Sequence, residues 1–194
     1  MRKVDVERKT LETEAQISLN LDGSGKKNIN TGIRFFDHML EQWASHGYFD
    51  LDIKVDSKDK DPHHIVEDIA ITLGEAYLKA LCDKKGINRY GYAVIPMDEA
   101  LTLTSIDISG RSFCGFNVPI QEERVSDFET ILLKHFFSSF AAASKMTIHI
   151  KLLDGEDTHH KIESVFKSFA RALRIACSID KDHPNVTPST KGVL

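Results

Sequence analysis

The sequence predicts an α+β fold built as two duplicated ββαβα halves, each a two-layer sandwich of helices on a sheet. Three observations carry this prediction. One pattern of histidines and carboxylates occurs twice: His38 precedes His63-His64-x-x-Glu67, and His135 precedes His159-His160-x-x-Glu163. The offset is 97 residues for the single histidine and 96 for the rest, so six of the nine histidines hold corresponding positions. Each single histidine is followed by an alternating apolar run, Phe49–Val55 and Met146–Leu152, the period of a strand that buries one face. Each HHxxE then opens a stripe at helical spacing: Val66, Ala70, Leu73 and Tyr77, and later Ile162, Phe166, Phe169 and Leu173.

The remaining elements follow in order. Ala15 to Leu21 and Asn28 to Thr31 read as a hairpin through Asp22-Gly23-Ser24-Gly25. Around His38, F-F-D-H-M-L-E-Q-W is an amphipathic helix, and Asp61-Pro62 is a start signal for the helix carrying the first histidine pair. In the second half, Ala93 to Ile108 and Phe113 to Val118, joined near Ser109-Gly110-Arg111, form the counterpart of the hairpin. L-L-K-H-F-F-S-S-F around His135 forms the counterpart helix. The halves are residues 1–92 and 93–180, followed by a tail over 181–194.

Composition bounds the function. With 194 residues and 41% hydrophobic content the chain can bury a real core. A net charge of −4 offers no basic face for nucleic acid and no polybasic membrane patch. No signal-peptide core or run of transmembrane length is present. Cys82, Cys114 and Cys177 are isolated and odd in number, which argues against a disulfide framework and fits a cytoplasmic protein.

Helical geometry assigns the repeated residues to metal ions. His63 and Glu67 are four apart and share a helix face, so they can hold one ion. His64 is turned by about 100° around the axis and suits a second ion. The same holds for His159, Glu163 and His160. By symmetry one ion takes His63, Glu67, His135 and His160, and the other takes His159, Glu163, His38 and His64. Three imidazoles and one carboxylate leave an octahedral ion two open positions, as catalysis requires. The thiol-free set admits Mn, Fe, Co, Ni or Zn, with the carboxylates favouring Mn or Fe. A core or capping role explains any one of these histidines, but not six in register with two glutamates. His149 and His183 read as ordinary surface residues. His46, at the end of the His38 helix, either caps it or lines the pocket.

The segments F-F-D-H-M-L, H-H-x-x-E-D, M-D-E-A-L, D-x-S-G-R, the second H-H-x-x-E with Lys167, and P-S-T-K-G-x-L resemble the imidazoleglycerol-phosphate dehydratase family. The resemblance runs from Glu12 to Leu194, with the motifs in the family's order. It implies the ribosomal protein S5 domain 2-like class, and dehydration of imidazole glycerol phosphate to imidazole acetol phosphate in histidine biosynthesis. It also implies two manganese ions per chain and a 24-subunit homo-oligomer with active sites between chains. Residues 56–62 form a slightly shorter loop than usual, and Ser112 stands where the family often has proline; neither position is a ligand. No phosphatase-like domain is attached, as in the monofunctional form.

The chemistry explains such a site. The substrate must lose a hydroxyl beside its ring and a proton from the next carbon, with no carbonyl to acidify that C–H. The imidazole ring must act as electron sink, and an ion at each ring nitrogen would stabilise an imidazolate. By resemblance Glu12 is the acid/base. From sequence alone it is one charge among several in E-R-K-T-L-E-T-E. The resemblance also places Arg89, Arg111, Lys167, Ser189, Thr190 and Lys191 on the substrate phosphate, with the tail completing the active site. Lys167 is four residues beyond Glu163, so geometry alone puts it on the metal-facing side of its helix. Asp98 and Glu99 stand out after Pro96-Met97 in an apolar stretch. They either orient ligand histidines, a role favoured here, or form a strand-end turn. A di-iron storage bundle would show four long helices and E-x-x-H order, and an RNA-binding relative of the same fold class would show a basic face.

Overall fold

The computed structural model describes residues 2–194. The first half contains β1 (Lys3–Lys9), β2 (Thr13–Asn20), β3 (Lys27–Asn30), α1 (Arg34–Gly47), β4 (Asp50–Ser57) and α2 (Pro62–Ala80). The second contains β5 (Tyr90–Met97), β6 (Ala100–Asp107), β7 (Phe113–Asn117), α3 (Ile131–Ser144), β10 (Thr147–Asp154) and α4 (Thr158–Cys177). A small ribbon of β8 (Arg124–Val125) and β9 (Phe128–Glu129) precedes α3. The two four-stranded sheets have the same topology, β1-β2-β4-β3 and β5-β6-β10-β7. The α+β class and the duplication therefore hold, with one strand more per half than the sequence pattern predicts.

The predicted hairpins are where the structure differs. β2 and β3 do not pair: β4 lies between them, antiparallel to β2 and parallel to β3. The cause is Asp50, whose carboxylate accepts from Ser24 N at 2.8 Å and Lys26 N at 3.1 Å. These bonds wrap the Gly-rich loop around the start of β4, and a Cβ at Gly23 would lie 2.3 Å from Asp50 N. The hairpin partner of β2 is β1, in register from Lys3↔Asn20 to Lys9↔Glu14. Its charged outward positions and few apolar residues hid it in the sequence. Likewise the run from Ala93 to Ile108 is two strands broken at Asp98, which adopts φ 49°, and β7 pairs parallel with β10 rather than with β6.

The helix layers meet back to back. α2 covers β1 and β2, α4 covers β5 and β6, and α2 packs on α3 while α1 packs on α4. All eight residues of the two predicted stripes are fully buried. Trp43 sits where the layers meet, its ring centroid 4.6 Å from Phe169 and 5.1 Å from Phe140, with Nε1 donating to Tyr77 Oη at 2.8 Å. Trp43→Ala would leave a cavity and an unpaired buried hydroxyl, so a stability loss of about 3–5 kcal/mol is expected. Chemical unfolding measures it, and a loss under about 1 kcal/mol would contradict this account of the core.

The halves also differ. The outward face of the first sheet is polar, carrying Lys3, Asp5, Glu7, Glu14, Gln16 and Ser18, whereas the second exposes Tyr90, Tyr92, Val94 and Phe113. The β8–β9 ribbon occupies an insertion with no counterpart in the first half. It supplies Asp127, which accepts from Arg34 N and Phe35 N and so caps α1.

Candidate metal centres and active site

α2 and α4 open with the same cap. Asp61 accepts from His63 N at 2.9 Å, and Asp157 accepts from His160 N at 3.0 Å. Each cap fixes the first turn, so adjacent histidines leave the helix in different directions. The rings of His63 and His64 lie at 89° to each other, those of His159 and His160 at 73°.

His63 and His159 each join a three-residue group that spans both halves, while His64 forms a third group with Glu12 and Asp59 within the first half. His38 Nε2 and His159 Nε2 lie 3.5 and 3.1 Å from the same oxygen of Glu163. His135 Nε2 lies 3.6 Å from Glu67 Oε1, and the His135 ring stacks on His63 at 4.4 Å. Within each group one ligand atom per residue lies within 4.8 Å of the others. The Glu67 and Glu163 groups each draw on both halves of one chain, because α1 packs against α4 and α2 against α3.

Both groups fit a divalent cation. Their donors are two imidazole nitrogens and one carboxylate, without thiolate, suited to a borderline or hard ion. His135 Nε2 is buried and has no hydrogen-bond partner among the described residues. An orphaned buried nitrogen aimed at a carboxylate is costly unless a cation sits between them.

The expected fourth ligands, His64 and His160, are not brought to these groups. His64 Nδ1 lies 2.7 Å from Asp59 Oδ2, and His160 Nδ1 lies 2.7 Å from Glu99 Oε2. Each carboxylate bond raises the affinity of its imidazole for protons and engages Nδ1, leaving Nε2 without a hydrogen bond among the described residues. In the sequence, Asp98 and Glu99 read either as orienting ligand histidines or as a strand-end turn. The pair forms the β5–β6 turn, and Glu99 orients His160. Asp98 is largely exposed, 3.7 Å from His160 Nε2. Glu99 also accepts from the backbone N–H of Glu156 and Asp157, and the bond from Asp157 foremost, then that to His160, lowers its carboxyl to about 2. Asp59, which orients His64, was missed by sequence reasoning. Its only signal is its place five residues before His64 in an acidic loop.

Lys167 sits beside the Glu163 group. Its Nζ is 2.6 Å from Glu163 Oε1 and 3.1 Å from Met97 Sδ. Burial works against the charge on Glu163, but Lys167 together with His159 and His38 holds the carboxyl below its ordinary range. His46 bonds Gln42 Oε1 at 3.1 Å; burial first, then Lys167 and Arg171, lower its proton affinity. Glu12, in the β1–β2 turn, is exposed, with Oε2 3.6 Å from His64 Nδ1.

The other predicted phosphate residues lie elsewhere. Arg89 precedes β5, pairs with Asp107 at 2.7 Å and donates to Pro188 O at 2.7 Å, so it holds the start of the tail segment with Ser189, Thr190 and Lys191. Arg111 is exposed at the neighbouring end of the same sheet, before β7. Lys167 contacts Met97 at the opposite end of β5, and eight residues of strand span about 25 Å. One chain therefore separates its tail cluster from its own Glu163 group.

A family model described as imidazoleglycerol-phosphate dehydratase matches residues 31–173. The chain is 50% identical over 194 residues to the imidazoleglycerol-phosphate dehydratase of Marinobacter nauticus, covering all of this chain and 98% of that protein. Two crystal structures share the fold. That of imidazoleglycerol-phosphate dehydratase from Staphylococcus aureus has a TM-score of 0.82 at 38% identity, over 91% of this chain and 99% of that one. That of IGPD from Pyrococcus furiosus in complex with (S)-C348 has a TM-score of 0.84 at 37% identity, over 97% and 99%.

Proposed function

The chain belongs to the imidazoleglycerol-phosphate dehydratase family, a hydro-lyase of histidine biosynthesis, and from that premise we propose that it works through two manganese ions held between subunits in the cytoplasm. The observation that carries this reading is the orphaned Nε2 of His135 in a group of two imidazoles and a carboxylate, matched by a second such group at Glu163. His63, Glu67 and His135 hold one ion, and His38, His159 and Glu163 hold the other. His160 and His64 of a neighbouring copy supply the fourth ligands, because neither reaches the Glu67 group or the Glu163 group of its own chain. Ions held there would supply Lewis-acid stabilisation of charge on the substrate's imidazole ring.

The protein's own groups do the rest. Glu12 carries the proton that must leave the side-chain carbon next to the departing hydroxyl. Glu99, the residue at the same place in the second half, is already engaged by two backbone N–H groups and His160, so it orients and does not shuttle. Lys167 and His46 line the substrate side of the Glu163 group. Arg111, Ser189, Thr190 and Lys191 from a further copy, with Arg89 bracing their segment, receive the phosphate. The exposed Tyr90, Tyr92, Val94 and Phe113 suit burial between copies, and a 24-subunit assembly would bring these parts together.

Turnover of imidazole glycerol phosphate by metal-stripped protein, with manganese restored, tests the reading. Activity should vanish on stripping and return with manganese, and saturated, desalted protein should hold about two ions per chain. One ion per chain, or turnover without metal, would refute it.

A further inference from the structure

We propose that Asp68 is a positioning residue that holds the turn bearing Glu12 in register with the metal-binding face of α2. The inference rests on the role given to Glu12 above and adds how that role is achieved.

Asp68 follows Glu67 and lies one helical turn beyond His64, yet it points into the protein and is only 5% exposed. A buried carboxylate is costly without partners, and Asp68 has three, all from the β1–β2 corner. Arg8 Nε donates to it at 2.7 Å, Thr10 Oγ1 at 3.4 Å, and the buried Thr13 hydroxyl makes a short bond. Thr10 Oγ1 in turn accepts from Glu12 N at 3.2 Å and Thr13 N at 2.9 Å, and Thr10 N donates to Thr13 O. The turn Thr10-Leu11-Glu12-Thr13 is thus closed over a hydroxyl that is itself tied to Asp68. Glu12 Oε2 ends 3.6 Å from His64 Nδ1.

The duplication supplies an internal control. β2 and β6 correspond residue by residue at an offset of 87, since Ala15↔Val55 matches Thr102↔Leu152 in register. Glu12 therefore corresponds to Glu99. Met97 pairs with Ala100, leaving a two-residue turn, and Glu99 is fixed by its own carboxylate. The counterpart of Asp68 is Ser164, which bonds Thr102 at 2.6 Å and does not contact the turn. In the first half, Lys9 pairs with Glu14, leaving a four-residue turn, and Asp59 takes over the bond to His64. Asp68 fixes the longer turn from beneath, so the Glu12 carboxylate stays free for proton transfer. Fixing Glu12 through its own side chain, as Glu99 is fixed, would occupy the oxygens the reaction needs.

The test is a double-mutant cycle on the assembled, manganese-loaded enzyme with Asp68→Asn and Glu12→Gln. Asp68→Asn keeps the shape but weakens the grip on the Arg8, Thr10 and Thr13 donors. It should lower kcat by about tenfold to a hundredfold, as expected for a misplaced reacting group, with KM and metal content little changed. In the Glu12→Gln background the same change should cost no further kcat, because the group it positions is gone. A multiplicative loss in the double variant would mean a general structural role and overturn the proposal, as would a normal kcat for Asp68→Asn beside a crippled Glu12→Gln. A near-normal kcat for Glu12→Gln would instead remove the underlying role of Glu12. Should Asp68→Asn fail to assemble, Thr10→Val removes the same link from the turn side. It should lower kcat in the wild-type background alone; equal losses in both backgrounds would overturn the proposal.

Discussion

Glu12→Gln should lower kcat by about 10²- to 10⁴-fold, the usual worth of a general acid/base, while substrate affinity and metal content stay near normal. The substitution keeps the shape and hydrogen-bonding capacity of the side chain and removes only its ability to carry a proton. Glu12 belongs to neither three-residue group around Glu67 or Glu163, and the His64 ring is held at Nδ1 by the closer Asp59 at 2.7 Å. Losing the Glu12 carboxylate should therefore leave His64 oriented. Steady-state kinetics with direct substrate binding measures the split between kcat and affinity. A kcat within a few-fold of wild type would remove Glu12 from the chemistry. Asp98 would then be the next carboxylate to test, because it is exposed beside His160 whereas Glu99 is fully engaged.

The helices were legible because their signals are local and strong. Asp61-Pro62 caps α2 as expected, and the two apolar stripes bury completely. The separation of neighbouring histidines was legible for the same reason, since the helical repeat sets their directions. Strand partnership was not. The loop Asp22–Gly25 reads as a hairpin turn, and only the bonds from Ser24 N and Lys26 N to Asp50, some 25 residues away, send the chain across β4 instead. β1 was missed because an edge strand with one solvated face shows little apolar pattern. Asp59 and Asp68 were also missed, since nothing in an acidic loop or in the second residue of Glu-Asp reveals a bond to a ring or a buried turn. Apart from Lys167, which helical spacing also placed on the face of Glu163, the phosphate residues came from resemblance alone. The structure adds that Arg89 is already paired with Asp107 and that the tail lies a strand's length from Lys167.

Mixing two inactive variants should restore activity. His135→Ala breaks the group at Glu67, and His38→Ala breaks the group at Glu163; each variant alone should have lost one ion and nearly all turnover. If each active site combines the Glu67 group of one copy with the Glu163 group of another, a mixed assembly contains some sites built wholly from intact groups. Random reassembly from equal parts would make about a quarter of the sites intact. The proposed sharing rests on the divergence of the adjacent rings. With His63 committed to the Glu67 group, His64 turns toward Asp59 and away from the Glu163 group of its own chain. His160 is likewise turned toward Glu99. The measurement is turnover after the two variants are stripped of metal, mixed, and given manganese, compared with each variant treated alone. If the ions bridge copies, as proposed, stripping should also lower the mass seen in sedimentation, and that release is what lets the subunits exchange. Recovery of activity only in the mixture would support shared sites. No recovery after verified subunit exchange would mean that each chain completes its own two-ion site, and the assignment of His64 and His160 to neighbouring copies would fail.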